Sequence, residues 1–268
     1  MARPRRPADG NGPTNTPRLT RRRALAAGGA ALAGAALVGA GGAGARTGDD
    51  DTDERRYRVT VANLTPGQPF TPPAVAAHSA DVEVFAVGDP ANEPTRQVAE
   101  NGNLGPLVDL IGATDEIRGA AVGDAPLVPR SDPGDTGYPS YASLELTADE
   151  EAPYLTFVGM LVATNDGIVG LDTVPLPGAV NASRTYYANG YDVGTERNTE
   201  LYEDLVPPAK TLIVGGEPEG TTESDPDLAE DDVVRPHPGI VGDGDLDPDV
   251  YGWDEPAALV QVERLASE

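Results

Sequence analysis

The run over residues 154–164, Tyr-Leu-Thr-Phe-Val-Gly-Met-Leu-Val-Ala-Thr, is the most apolar stretch in the body of the chain. It reads as a central strand buried on both faces. That commits the fold to a layered β architecture. Residues 57–64 alternate apolar and polar with period two, as a half-buried strand does. Residues 81–87, 142–148 and 257–265 read as further strands, and 211–214 as a short one. Residues 94–112 are the helical candidate, split into two short helices by Gly102 and Gly105. The 26 prolines and 32 glycines fit long turns and loops, including a rigid one over residues 66–73. The predicted fold is an all-β antiparallel β-sandwich with one or two short helices.

Charge divides the chain into an address and a body. It holds 19 basic and 44 acidic residues, for a net charge of −25. Seven arginines fall in residues 1–45, whose only acid is Asp9. This segment has the pattern of a twin-arginine export signal. Arg21-Arg22-Arg23 precedes a weakly apolar Ala/Gly run that ends in Ala43-Gly44-Ala45. Residues 46–56 read as an acidic linker. The expectation is export to the cell surface or beyond. The remaining 223 residues carry 12 basic and 43 acidic groups, a net of −31. Such a body repels phosphate, which excludes nucleic acid as a partner. Membrane contact would need bridging cations or a retained signal segment. Acid-rich, lysine-poor composition with recurring apolar runs predicts a folded protein adapted to high salt. Residues 217–255 form a separate block, with 14 acids and the single base Arg235. It reads as a partly ordered excursion between the last strands.

The absence of cysteine removes disulfides, thiolate metal sites and thiol nucleophiles. His78 and His237 are the only histidines and are read as structural. No serine-hydrolase elbow, phosphate loop, dinucleotide fingerprint or zinc-protease motif is present. The expectation is a non-enzymatic protein. The alternatives are a secreted carboxylate-dependent hydrolase and a structural envelope protein without a specific ion site. Asn63-Leu64-Thr65 and Asn181-Ala182-Ser183 are candidate glycosylation sequons.

Two acidic motifs stand out from the general acidity. The apolar run passes directly into Asn165-Asp166-Gly167, placing an acid at a strand end. Downstream, Asp192-Val193-Gly194-Thr195-Glu196 sets two carboxylates four apart around a glycine suited to a sharp turn. Carboxylates gathered by two loops offer the hard oxygen ligands that Ca2+ prefers. A rival is Asp243-Gly244-Asp245-Leu246-Asp247-Pro248-Asp249, with Asp254 at the twelfth position. Proline stands there where a calcium loop needs glycine, so a solvated acidic loop is the expected reading.

The chain also resembles the spondin domain, the N-terminal domain of F-spondin and mindin. The matching pieces are residues 57–72, Ala99-Glu100-Asn101-Gly102, Val162-Ala163-Thr164-Asn165-Asp166-Gly167 and Tyr191-Asp192-Val193-Gly194-Thr195-Glu196. Together they span roughly residues 57–265. The resemblance implies a sandwich similar to C-two-type calcium-dependent domains and a role in adhesion or ligand binding. It implies Ca2+ ligands at Asp166, Asp192 and Glu196, with an unknown extracellular ligand or cell-surface component as partner. From the residues alone, Glu100 is expected to cap or pair within the helical region, with a role near the cation as the alternative. The chain departs from the animal domains in having no disulfides. It also has Ile168 where an aromatic often follows the strand-end acid, and the longer Glu196 in place of aspartate.

Overall fold

The computed structural model describes residues 54–214 and 224–266. The segment expected to be an export signal, residues 1–45, and most of the expected linker over residues 46–56 lie outside the described residues. Among those described, nine strands form an antiparallel two-layer structure that is nearly closed. One layer has β1 (Arg55–Asn63) between β4 (Tyr141–Ala148) and β9 (Ala258–Arg264). The other orders β3 (Ile117–Val122), β2 (Ala74–His78), β5 (Tyr154–Met160) and β6 (Gly167–Pro175). The long strand β7 (Ser183–Asp192) belongs to both. Its first part pairs with β9 and its last part with β6. The two-residue strand β8 (Arg235–Pro236) pairs with Tyr191 and Asp192 at its end.

Period-two alternation dictates which face of β1 is buried. Tyr57, Val59 and Val61 point inward, while Arg58 points out and pairs with Glu145 at 2.9 Å and Glu263 at 3.5 Å. The inward row meets Val260, Val262, Leu144 and Leu146, and across the layers Leu155, Phe157 and Val169. The opposite face of β5 and β6 carries Val158, Met160 and Ile168. It is covered by α1 (Glu93–Asn101), α2 (Gly105–Ala113) and α3 (Pro207–Val214), through Val98, Leu107, Leu212 and Ile213. β5 is therefore buried on both faces, as the apolar run predicts. Each large apolar side chain buried this way contributes about 1.5–3 kcal/mol.

The edge strands β3 and β4 abut without pairing. A Cβ on Gly119 would stand 1.9 Å from the Thr147 carbonyl oxygen, so only glycine lets the seam close. At the start of β1, Tyr57 lies opposite Arg264 and the Leu265 N–H donates to Arg56 O at 2.8 Å. The incoming and outgoing chain therefore leave the sheet side by side.

The structure corrects several local readings. Residues 81–87 are not a strand. Val82, Val84 and Phe85 are buried, but Asn92 Nδ2 and Thr95 Oγ1 both donate to Val84 O, so the start of α1 takes the bond a ladder would use. Residues 211–214 are the last turn of α3, which begins at two prolines suited to a helix start. A four-residue apolar run has no period to separate the two readings. The apolar run ends as strand at Met160 and continues as a turn. The block over residues 217–255 is more ordered than its composition suggests. Residues 215–223 lie outside the described residues, but from Ser224 on it packs Leu228, Val234, Ile240, Leu246 and Tyr251 against the body. Among the described residues, no helix is long and apolar enough to cross a membrane.

The Asn63 sequon is consumed by the fold. Asn63 Nδ2 donates to Gln68 O at 2.8 Å and Leu127 O at 3.1 Å, and Oδ1 accepts from the Thr65 N–H and hydroxyl. This buried amide is not free to carry a glycan, whereas Asn181 is exposed. Asn63→Ala strips partners from buried polar groups. It should cost about 1–3 kcal/mol in thermal unfolding, and an unchanged midpoint would remove the turn's structural role.

Candidate metal centre

The turn after β5 is built from its own side chains. Thr164 Oγ1 donates to Leu161 O at 2.6 Å and accepts from the Gly167 N–H at 2.9 Å. Gln68 braces it from the preceding loop, its Oε1 accepting from the Ala163 N–H at 2.5 Å. This fixes Asp166, which is fully buried, at the mouth of β6. Register then delivers the second motif, because Asp192 pairs with Gly167, the neighbour of Asp166.

Beyond Asp192 the chain reverses at Gly194, whose φ of 73° is a left-handed conformation that favours glycine. A side chain there would also meet the backbone of Asp232 and Val233 at 2.8–2.9 Å. The reversal aims the Thr195 and Glu196 N–H groups at Asp166 Oδ2, at 2.7 and 2.9 Å. Asp166 Oδ1 is buried and has no partner among the described residues. Both oxygens of Asp192 are engaged. Oδ1 accepts from the Gly194 N–H at 2.8 Å, and Oδ2 accepts from Asn198 Nδ2 at 2.6 Å and Arg235 Nη2 at 2.9 Å. Glu196, also buried, accepts from the Asp225 N–H at 3.1 Å.

The structure thus brings all three sequence-predicted acids to one corner, and their ionisation reflects it. Burial, then the charge of Asp192, pushes Asp166 up to about 6 despite its N–H bonds. Burial, then the charges of Glu100 and Asp166, pushes Glu196 up to about 8. Glu100 is buried beside Arg96 and shares with Glu196 the wall of a cavity of about 400 Å³. Asp225, Glu230, Asp231 and Asp232 line the same cavity.

No group of three or more His, Asp or Glu side chains among the described residues is drawn together closely enough to hold a metal ion as the side chains stand. The donor chemistry suits Ca2+, since every candidate ligand is a hard oxygen and one is a buried carboxylate oxygen without a partner.

The rival loop is organised differently. Glu200, which lies outside it, accepts from the N–H groups of Val241, Gly242 and Asp243 at 2.7–2.8 Å. Asp245 accepts from the Tyr202 N–H, and Asp247 caps α4 (Pro248–Tyr251). Its acids serve as caps around another carboxylate. The histidines have structural partners. His78 bonds Ser79 O and Thr156 Oγ1, and His237 Nδ1 accepts from the Gly239 N–H while its ring packs on Trp253. Burial pushes His237 down to about 4.

Sequence reasoning passed over Arg235, Asn198 and Glu200. Arg235 did carry a signal, as the lone base among the 14 acids of residues 217–255. No family model matches the chain, and no curated protein matches it.

Proposed function

We propose that the chain is an exported, non-enzymatic binding module of the spondin type. Asp166, Asp192 and Glu196 would hold Ca2+ and so fix two loops at the end of the sandwich for contact with an extracellular ligand or cell-surface component. The observation that carries the reading is the buried, unpartnered Asp166 Oδ1 beside two further buried acids. Burying like charges without a cation is costly, and a divalent ion offsets that cost. The spondin-like motifs supply the same three positions.

Titration calorimetry at high salt tests it. The parent should bind one Ca2+, more tightly than Mg2+, which demands smaller and stricter geometry. Asp166→Asn should weaken Ca2+ at least tenfold. Identical isotherms for parent and variant would overturn the site.

One observation favours a second reading, a carboxylate-dependent hydrolase: Glu196 is a raised-pKa acid on a cavity wall. Among the described residues, no aromatic ring lines that cavity for a sugar to stack on. Glu196→Gln separates the readings, because loss of turnover on a polysaccharide belongs only to the hydrolase.

A further inference from the structure

Asp192 is fully buried, and one of its carboxylate oxygens already faces a positive charge. The Arg235 guanidinium reaches it at 2.9 Å. Backbone pairing holds the two residues in register, since Arg235 in β8 lies opposite Asp192 in β7. The pairing does not depend on the arginine side chain. The guanidinium is also about one third exposed and touches two more acids. Nη1 bonds Asp232, and Nη2 lies 3.5 Å from Glu230. Both line the acidic cavity next to the site. Arg235 can therefore leave Asp192 and remain paired.

We propose that Arg235 is the resident cation of this site and that Ca2+ binds by displacing its guanidinium from Asp192 onto Asp232 and Glu230. This inference rests on the ion-binding reading above. Without the ion, Arg235 keeps Asp192 from being a buried, uncompensated charge. With the ion, one oxygen of Asp192 is released to become a ligand. The exchange moves an arginine between carboxylates and never strands a charge. It also raises the Ca2+ concentration at which the loops become fixed, so Arg235 sets the threshold of the module. Arg235→Gln should have opposite effects on the two forms.

The experiment compares the parent, Arg235→Gln and Arg235→Lys in high salt. Thermal melts in chelator are set beside calorimetric titration with Ca2+. Arg235→Gln should melt earlier than the parent in chelator, recover in excess Ca2+, and bind Ca2+ at least tenfold more tightly. Arg235→Lys keeps the charge but loses the planar fork, so its affinity should lie between the two. Should Arg235→Gln fail to fold without the ion, tighter binding by Arg235→Lys than by the parent carries the test alone. Equal affinity across all three proteins overturns the displacement and leaves the ion site standing. Unchanged melting of Arg235→Gln in chelator also overturns it. Absence of Ca2+ binding in every protein overturns the ion site itself, and this inference with it.

Discussion

Metal-free protein should gain stability as the pH falls from about 8 to about 6.5, and excess Ca2+ should reverse that slope. Glu196 lies near 8 in the folded protein and at 4.5 ordinarily, so the folded state holds a proton that the unfolded chain has lost. An acid raised in this way disfavours folding once ionised. Its contribution is lost as the pH rises from the ordinary value through the folded one. Asp166 adds the same sign between 3.8 and about 6. His237 opposes both, because a histidine lowered from 6.5 to about 4 loses stability as the pH falls through that range. Above 6.5 Glu196 is the largest contributor, because Asp166 and His237 titrate mostly below it. A full proton over about 1.5 pH units would be worth about 2 kcal/mol, and Glu196, half protonated at pH 8, supplies somewhat less. Ca2+ needs its ligands deprotonated, so its stabilisation grows with pH. Melts across the window, in chelator and in excess Ca2+, read both slopes. A flat metal-free profile would contradict the burial of Glu196, and a slope untouched by Ca2+ would count against the ion site.

Glu200→Ala should be the most damaging single change to the acidic C-terminal segment. The Glu200 side chain satisfies three backbone N–H groups, and its own carbonyl accepts from Asp245 and Leu246. Truncation leaves those three N–H groups without their acceptor, a loss of about 3–5 kcal/mol. Ile240, Leu246 and Tyr251 should then loosen from the body, together with the bond from the Tyr251 hydroxyl to Ile213 O. Hydrogen exchange should show residues 240–251 losing protection while β5 keeps it. Glu200→Gln retains an acceptor oxygen and should cost less. Equal protection in parent and alanine variant would show that the segment is held by its apolar contacts alone.

The elements legible from sequence are those whose pattern matches their burial. β1 and β9 alternate, β5 is apolar throughout, and the helical region divides at Gly102, which caps α1 at a φ of 62°. β7 escaped because it changes partners midway and exposes much of its first half, so Ser183-Arg184-Thr185 shows no apolar alternation. The acid corner was readable because Asp166, Asp192 and Glu196 sit in short motifs with a glycine at each turn. Arg235 was not, because its role depends on β8 pairing far along the chain. Glu200 was hidden by chemistry: among 44 acids, nothing local marks it as one whose carboxylate turns inward. Asn63 misled for a related reason, since Asn-x-Thr describes a glycan acceptor and this buried turn equally well.

The neighbouring positions of Tyr57 and Arg264 also govern how the sandwich bears mechanical load. Pulling the two chain ends apart would peel β1 from β9 one rung at a time, the weakest way to strain a ladder. The acid corner lies at the opposite end of β7, about 30 Å away at roughly 3.3 Å per residue. A pull between one chain end and a partner gripped at that corner runs along the strands and loads many rungs together. Were it held by one tail and by a ligand at that corner, as proposed, the sandwich would meet tension in shear, its resistant direction.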